Sequence, residues 1–213
     1  MFSLYCGLIG FRKFFSKIDD YEFFPDLDLS GLLTILINLA SNPNNLYAQY
    51  ESMWILSNLA TGDERIVDNL AEKGALLLFT MNCDSENEEI QRLGFWALAN
   101  IICEKQNFRD SLINIGIIDK FKKILKNCGK ECKEIVIWTI SNIFKMKPLL
   151  EWELFLKISD ELLFILKEEK SPSDNLLNAL TLIYIYSSNL TKKFILQIIS
   201  FFRDLSKRND SND

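Results

Sequence analysis

The sequence predicts an all-α protein, a right-handed α-solenoid of about four to five three-helix repeats. Three observations predict it. A tryptophan recurs every forty-two residues, at Trp54, Trp96 and Trp138, and an asparagine follows each by four, at Asn58, Asn100 and Asn142. A glycine keeps nearly the same interval, at Gly31, Gly74 and Gly116, and each opens an apolar run. Turn formers are scarce: 8 glycines and 4 prolines in 213 residues are too few for an all-β sandwich. With 48% apolar and 25% charged residues, the chain can bury a sizeable core and is not disordered throughout.

Each unit reads as a short helix, a glycine corner, a second helix and a longer third helix carrying the Trp and Asn. Third helices are expected at about 8–18, 46–60, 87–103, 130–146 and 174–187, and a last helix at about 191–206. The register extends both ways. Arg12 and Ser16 stand forty-two residues before Trp54 and Asn58, and Leu180 and Tyr184 forty-two after Trp138 and Asn142. Pro148 and Pro172 fall between helices, where proline is tolerated. One domain, 1–206, precedes a polar tail, 207–213. A period of this length with three helices is the armadillo range. Such units cannot bury their apolar faces alone, so they stack, and their third helices line one concave surface.

Composition narrows the function. The chain has 0 histidines, which removes Ser/His and Cys/His nucleophile pairs, His metal sites and any His general base. There is no G-x-x-x-x-G-K-[ST] phosphate loop, no metal-ligand cluster and no acid/base pair, so neither an enzyme nor a cofactor is expected. A net charge of −5 speaks against nucleic acid as a partner. The basic run Lys122, Lys123, Lys126, Lys130 and Lys133 reads as a solvated convex face. The longest uncharged run, 29–50, carries Asn38, Asn42, Pro43, Asn44 and Asn45 and is no membrane span. The 5 cysteines are odd in number and irregularly spaced, as expected of reduced thiols in cytosol or nucleus.

Helical angle divides the third helices into two faces. Met53, Leu56, Leu59 and Ala60 form an apolar stripe, repeated by Phe95, Leu98, Ile101 and Ile102 and by Ile137, Ile140, Ile143 and Phe144. Glu51, Trp54, Asn58 and Thr61 fall on another face, at steps of three or four. One reading makes the tryptophans core anchors. The other makes them a surface ladder, because three asparagines at core positions would each need several partners. A Trp/Asn ladder suits a peptide: the amide pairs with backbone, and indole faces hold long aliphatic stems that end in cations. Three rungs at 8–10 Å span roughly 20 Å, about six residues of extended chain.

At this point the sequence resembles the importin-α family, from Phe11 to about Leu205. Phe-Arg-Lys-Phe-Phe-Ser-Lys (11–17) is similar to the end of that family's first repeat, and Trp54 through Gly62 (Trp-Ile-Leu-Ser-Asn-Leu-Ala-Thr-Gly) to its second. Phe-Trp-Ala-Leu-Ala-Asn-Ile (95–101) resembles the third, Trp-Thr-Ile-Ser-Asn-Ile-Phe-Lys-Met-Lys-Pro (138–148) the fourth, and Tyr184 a tyrosine of the fifth. The resemblance implies a nuclear import adaptor that binds basic nuclear localisation signal peptides and shuttles between cytoplasm and nucleus. Trp54, Trp96 and Trp138 would then sandwich Lys or Arg stems, and Asn58, Asn100 and Asn142 would hold the peptide backbone. Gly62 matches a backbone contact, and Glu104 stands where an aspartate pairs with the key lysine. Ser16, Glu51 and Tyr184 complete the expected groove. Cys103, Val67, Leu93 and Ile135 depart from the family's pattern, which implies weaker or shifted recognition of that lysine. The family's basic amino-terminal segment, which binds importin-β, has no counterpart here, so this chain alone is not expected to bind importin-β. The alternative is an armadillo scaffold repurposed for another protein partner.

Overall fold

The computed structural model describes residues 2–17, 30–103, 105–168 and 174–186, together with residues 195, 196, 199, 200 and 203. Of the expected last helix, residues 195, 196, 199, 200 and 203 are described and are helical; the rest of it, the polar tail and Glu104 lie outside the described residues. Eleven helices and no strand are found among the described residues. They are α1 (Phe2–Phe15), α2 (Ser30–Ala40), α3 (Leu46–Leu59), α4 (Glu64–Glu72), α5 (Ala75–Asn82), α6 (Glu88–Ile102), α7 (Gln106–Asn114), α8 (Ile117–Leu125), α9 (Lys130–Lys145), α10 (Trp152–Glu168) and α11 (Asp174–Ile185).

The third helices α1, α3, α6, α9 and α11 pack in series, each against the next. α2, α5 and α8 back onto α3, α6 and α9 of their own repeats, and α10 packs on α8 and α11. The stripe expected to be core is core: Met53, Leu56, Leu59, Phe95, Leu98, Ile101, Ile137, Ile140, Ile143 and Phe144 are fully buried. Phe79 and Phe121, forty-two residues apart on the second helices, are fully buried too. The Phe95 and Phe121 rings lie 5.8 Å apart, and those of Phe144 and Phe155 5.9 Å. Burying each such ring contributes about 1.5–3 kcal/mol.

Local chemistry sets the helix starts. Asn45 caps α3 by accepting from the Ala48 N–H (3.1 Å), and forty-two residues on Asn87 caps α6 by accepting from Glu89 and Ile90 (3.0 and 3.2 Å). The next position in this series is Gly129, before α9, which has no side-chain cap. There the Glu88 carboxylate occupies the space that a side chain at 129 would need. Gly74 and Gly116 start α5 and α8 at φ of +86° and +84°, a left-handed conformation costly for any residue with a Cβ.

Three features differ from the sequence expectation. Gly31 lies inside the first turn of α2 without a positive φ, so it is not a corner like the other two. Ile158 stands forty-two residues after Gly116, and a β-branched residue cannot make that corner. The helix runs on instead, and α10 is one continuous element of 17 residues. α1 begins at Phe2 rather than near residue 8, since its apolar pattern continues back through Leu8 and Tyr5. The Tyr5 ring meets Tyr47 of α3 edge-on at 4.6 Å.

Candidate functional site

Trp54, Trp96 and Trp138 occupy one face of α3, α6 and α9, away from the buried stripe. Trp96 is 43% exposed, and Trp54 and Trp138 are half-buried. They are therefore not central core residues, although Trp54 packs against the edge of the core. Asn58, Asn100 and Asn142 lie one turn further along, each half-buried. Their amides reach backwards across the repeat boundary. The Asn100 Nδ2 donates to the Ser57 carbonyl (3.0 Å) and the Asn142 Nδ2 to the Ala99 carbonyl (3.2 Å), forty-three residues earlier in each case. At the first rung the Asn58 Nδ2 donates to the Ser16 hydroxyl (2.9 Å). Each asparagine thus staples two third helices. Among the described residues no donor meets the side-chain oxygen of Asn100 or Asn142, which leaves it able to accept from one. The repeat-to-repeat bond is a role beyond the ligand contact expected from the spacing.

The three indoles are not equivalent. The rings of Trp96 and Trp138 touch edge to face, with centroids 6.2 Å apart and planes at 73°. An aliphatic stem between two parallel rings needs roughly 7–8 Å, twice a carbon–carbon contact distance. The open slot expected between these two rungs is closed here. What lies beside them is a cleft of 670 Å³ between α9 and α11, lined by Trp96, Glu134, Ile135, Trp138, Asp174, Leu177 and Asn178. The Glu134 and Asp174 side chains are exposed and give the cleft two carboxylates against two indoles. Asn178 is held in place by accepting from the Lys145 ammonium (3.0 Å) and the Ser141 hydroxyl (3.2 Å).

Glu134, Asp174 and Asn178 were not singled out from sequence. Glu134 lies four residues before Trp138, so it shares that face of α9, and this spacing was the available signal. Asp174 and Asn178 carry no comparable mark, since they join the site only through the packing of α11 on α9.

Other expected groove residues are placed differently. Glu51 was expected on the open polar face; it is 4% exposed and its carboxylate is bound to the Arg12 guanidinium at 2.6 Å. It is therefore spent inside the protein. Ser16 sits on the Asn58 amide, and its own hydroxyl donates to the Arg12 carbonyl (2.7 Å). Gly62 is half-buried, and a Cβ there would stand 3.0 Å from the Leu59 carbonyl and 3.2 Å from Ile66, so local packing leaves little room for a side chain. Val67 is fully buried and takes no part in the groove surface. Tyr184 is 78% exposed on α11 and lies outside the cleft lining.

The remaining chemistry is structural. Lys122 and Lys126 of the basic run lie 3.8 and 3.6 Å from Glu161 on α10. Arg109, 2% exposed, donates to the carbonyls of Met146 and Pro148 (3.0 and 2.6 Å) and fixes the loop after α9. All five cysteines are free. The Cys132 thiol donates to the Gln91 Oε1 (3.3 Å); the neighbouring Cys132 holds Cys128 below the usual thiol range, while Cys128 and burial push Cys132 up. No described helix is long and apolar enough to cross a membrane.

No family model matches the chain. Among solved structures, it is similar to the designed armadillo repeat protein YIII(Dq)4CqI, with a TM-score of 0.71, 19% identity, and 96% of this chain and 81% of that one covered. It is also similar to a computationally designed armadillo repeat protein for modular peptide recognition (TM-score 0.70, 19% identity, 95% and 80% covered). A third is the designed armadillo repeat protein YIII(Dq.V1)4CPAF in complex with the peptide (KR)4 (TM-score 0.58, 20% identity, 93% and 91% covered). The chain has the armadillo-repeat fold, an α-solenoid of stacked three-helix repeats.

Proposed function

We propose that this chain is a peptide-binding scaffold whose ladder takes Lys/Arg-rich segments of other proteins. The observation that carries the reading is the cleft beside Trp96 and Trp138. Two indole faces and two carboxylates, Glu134 and Asp174, converge on one opening. An extended lysine or arginine matches it: the stem lies on the ring and the cation meets the carboxylates. The open side-chain oxygens of Asn100 and Asn142 take backbone N–H groups of the same peptide. That a designed protein of the same fold is solved with (KR)4 supports this choice of ligand.

The finer reading is that of a nuclear import adaptor, moving between cytoplasm and nucleus and recognising basic localisation signals of cargo proteins. It rests on the Trp/Asn ladder and its resemblance to importin-α. Isothermal titration of a peptide with five consecutive Lys/Arg residues, beside an alanine-substituted control, tests the binding. Micromolar or tighter affinity for the basic peptide only is expected. Equal or absent binding of both favours the repurposed scaffold. Nuclear accumulation of a reporter bearing that peptide, dependent on this chain, tests the adaptor role.

A further inference from the structure

Arg12, in α1, and Ser16, just past its end, stand one period before Trp54 and Asn58 of α3. Both reach forward onto the first rung. The Arg12 guanidinium carbon lies 4.6 Å from the centroid of the Trp54 ring, over its face. Its Nε donates to the Glu51 carboxylate at 2.6 Å, one turn before Trp54 on the same helix. The Arg12 side chain is 23% exposed and that of Glu51 5%, so the pair is largely withdrawn from water. Tyr50 closes another side of the indole, edge-on at 5.6 Å. Ser16 takes the Asn58 amide. The first rung therefore already holds a cation on its ring, a carboxylate on that cation and a partner on its asparagine. The asparagines of the other two rungs are also bonded, through their amides, but among the described residues no cation lies over Trp96, which is exposed, or over Trp138, whose facing carboxylates Glu134 and Asp174 form no ion pair.

We propose that Arg12 is an internal occupant of the Trp54 subsite. It stands where a ligand cation would stack and confines an incoming basic peptide to the Trp96–Trp138 end of the ladder. This rests on the reading of the groove as a basic-peptide site. Arg12 is thus a specificity-determining residue. It sets how many consecutive basic side chains the groove reads, and its loss frees one more aromatic subsite, with Glu51 as the carboxylate behind it. A ligand cation must displace a bonded, partly desolvated arginine at rung one, but only water at the cleft.

The experiment uses the full chain, Arg12→Ala, and the double variant Arg12→Ala/Glu51→Gln, which removes the carboxylate left unpaired by the first change. Circular dichroism confirms that at least one variant keeps the parent's helical spectrum. The Trp54 indole N–H resonance is followed by nuclear magnetic resonance, together with acrylamide quenching. Both should change in the variants if Arg12 covers Trp54; an unchanged Trp54 signal overturns the proposal whatever the peptide result. Peptides with three and with six consecutive lysines are then titrated. The parent should bind the two within about twofold, beyond the statistical gain from sliding. The variants should prefer the longer by roughly fivefold or more, the scale of one partly desolvated cation–π contact. A parent that already prefers the longer peptide as strongly as the variants overturns the proposal. A changed Trp54 signal with no binding of either peptide by any protein retires the basic-peptide reading and with it the role of Arg12 in specificity.

Discussion

The edge of one indole in the Trp96–Trp138 pair meets the face of the other, with centroids 6.2 Å apart. This contact bridges α6 and α9 at the surface. On the proposed reading, the cleft toward α11, and not the gap between the rings, receives a basic side chain. The two carboxylates there become the test of charge.

Glu134→Gln with Asp174→Asn should weaken binding of a basic peptide and flatten its salt dependence. Exposed charge pairs are worth about 0.2–1 kcal/mol each, so the double change should cost roughly twofold to thirtyfold. Fluorescence anisotropy at 50 and 300 mM salt measures it, since exposed pairs are screened over that range. An unchanged salt slope would place the cation elsewhere.

Asn100→Ala should lower stability as well as affinity. It strips the Ser57 carbonyl of its donor, a loss of about 1 kcal/mol. A thermal melt should show the midpoint falling by roughly 2–4 °C for a chain of this size. A full-length melt indistinguishable from the parent would mean that the staple contributes nothing.

The glycines give opposite signs. Gly116→Ala forces a Cβ into φ of +84° and should destabilise by about 1–2 kcal/mol. Gly31→Ala, in a helix with nothing within 4 Å of the added atom, should stabilise by about 0.5–1 kcal/mol. Paired melts decide; the same sign for both would contradict the corner described at Gly116.

Cys128 should alkylate well before Cys132 and Cys83. Its folded thiol is held below the usual range by the neighbouring Cys132, while burial pushes Cys83 up. The rate follows the thiolate, so it should rise with pH through a midpoint below that of an unperturbed thiol. Peptide mapping after brief iodoacetamide treatment reads the order. Preferential labelling of Cys132 would contradict it.

The fold was legible because the repeat writes one physical requirement several times. Each third helix needs the same buried stripe, and Leu56, Leu98 and Ile140 satisfy it at equal spacing. The corner glycines were legible where a left-handed φ demands them, at Gly74 and Gly116, and misleading at Gly31, where none does. The site was legible only as a ladder. That Trp96 stands exposed follows from its place on the helix, but the Trp96–Trp138 contact depends on rotamers that spacing does not set. Glu51 looked like a groove carboxylate because its angle matched that of Trp54; only the placement of α1 beside α3 reveals Arg12 as its partner.

The central claim is that the exposed ladder binds basic peptide, and Trp96 tests it most directly. Trp96→Ala should keep the parent's far-UV spectrum and stay folded, since the residue is 43% exposed and lies outside the buried stripe, with a modest fall in melting midpoint from the lost contact with Trp138. Titrated with a five-residue Lys/Arg peptide, it should lose about 2 kcal/mol of affinity, roughly thirtyfold, as truncated aromatic anchors do. A folded variant that binds the peptide as tightly as the parent would contradict the account.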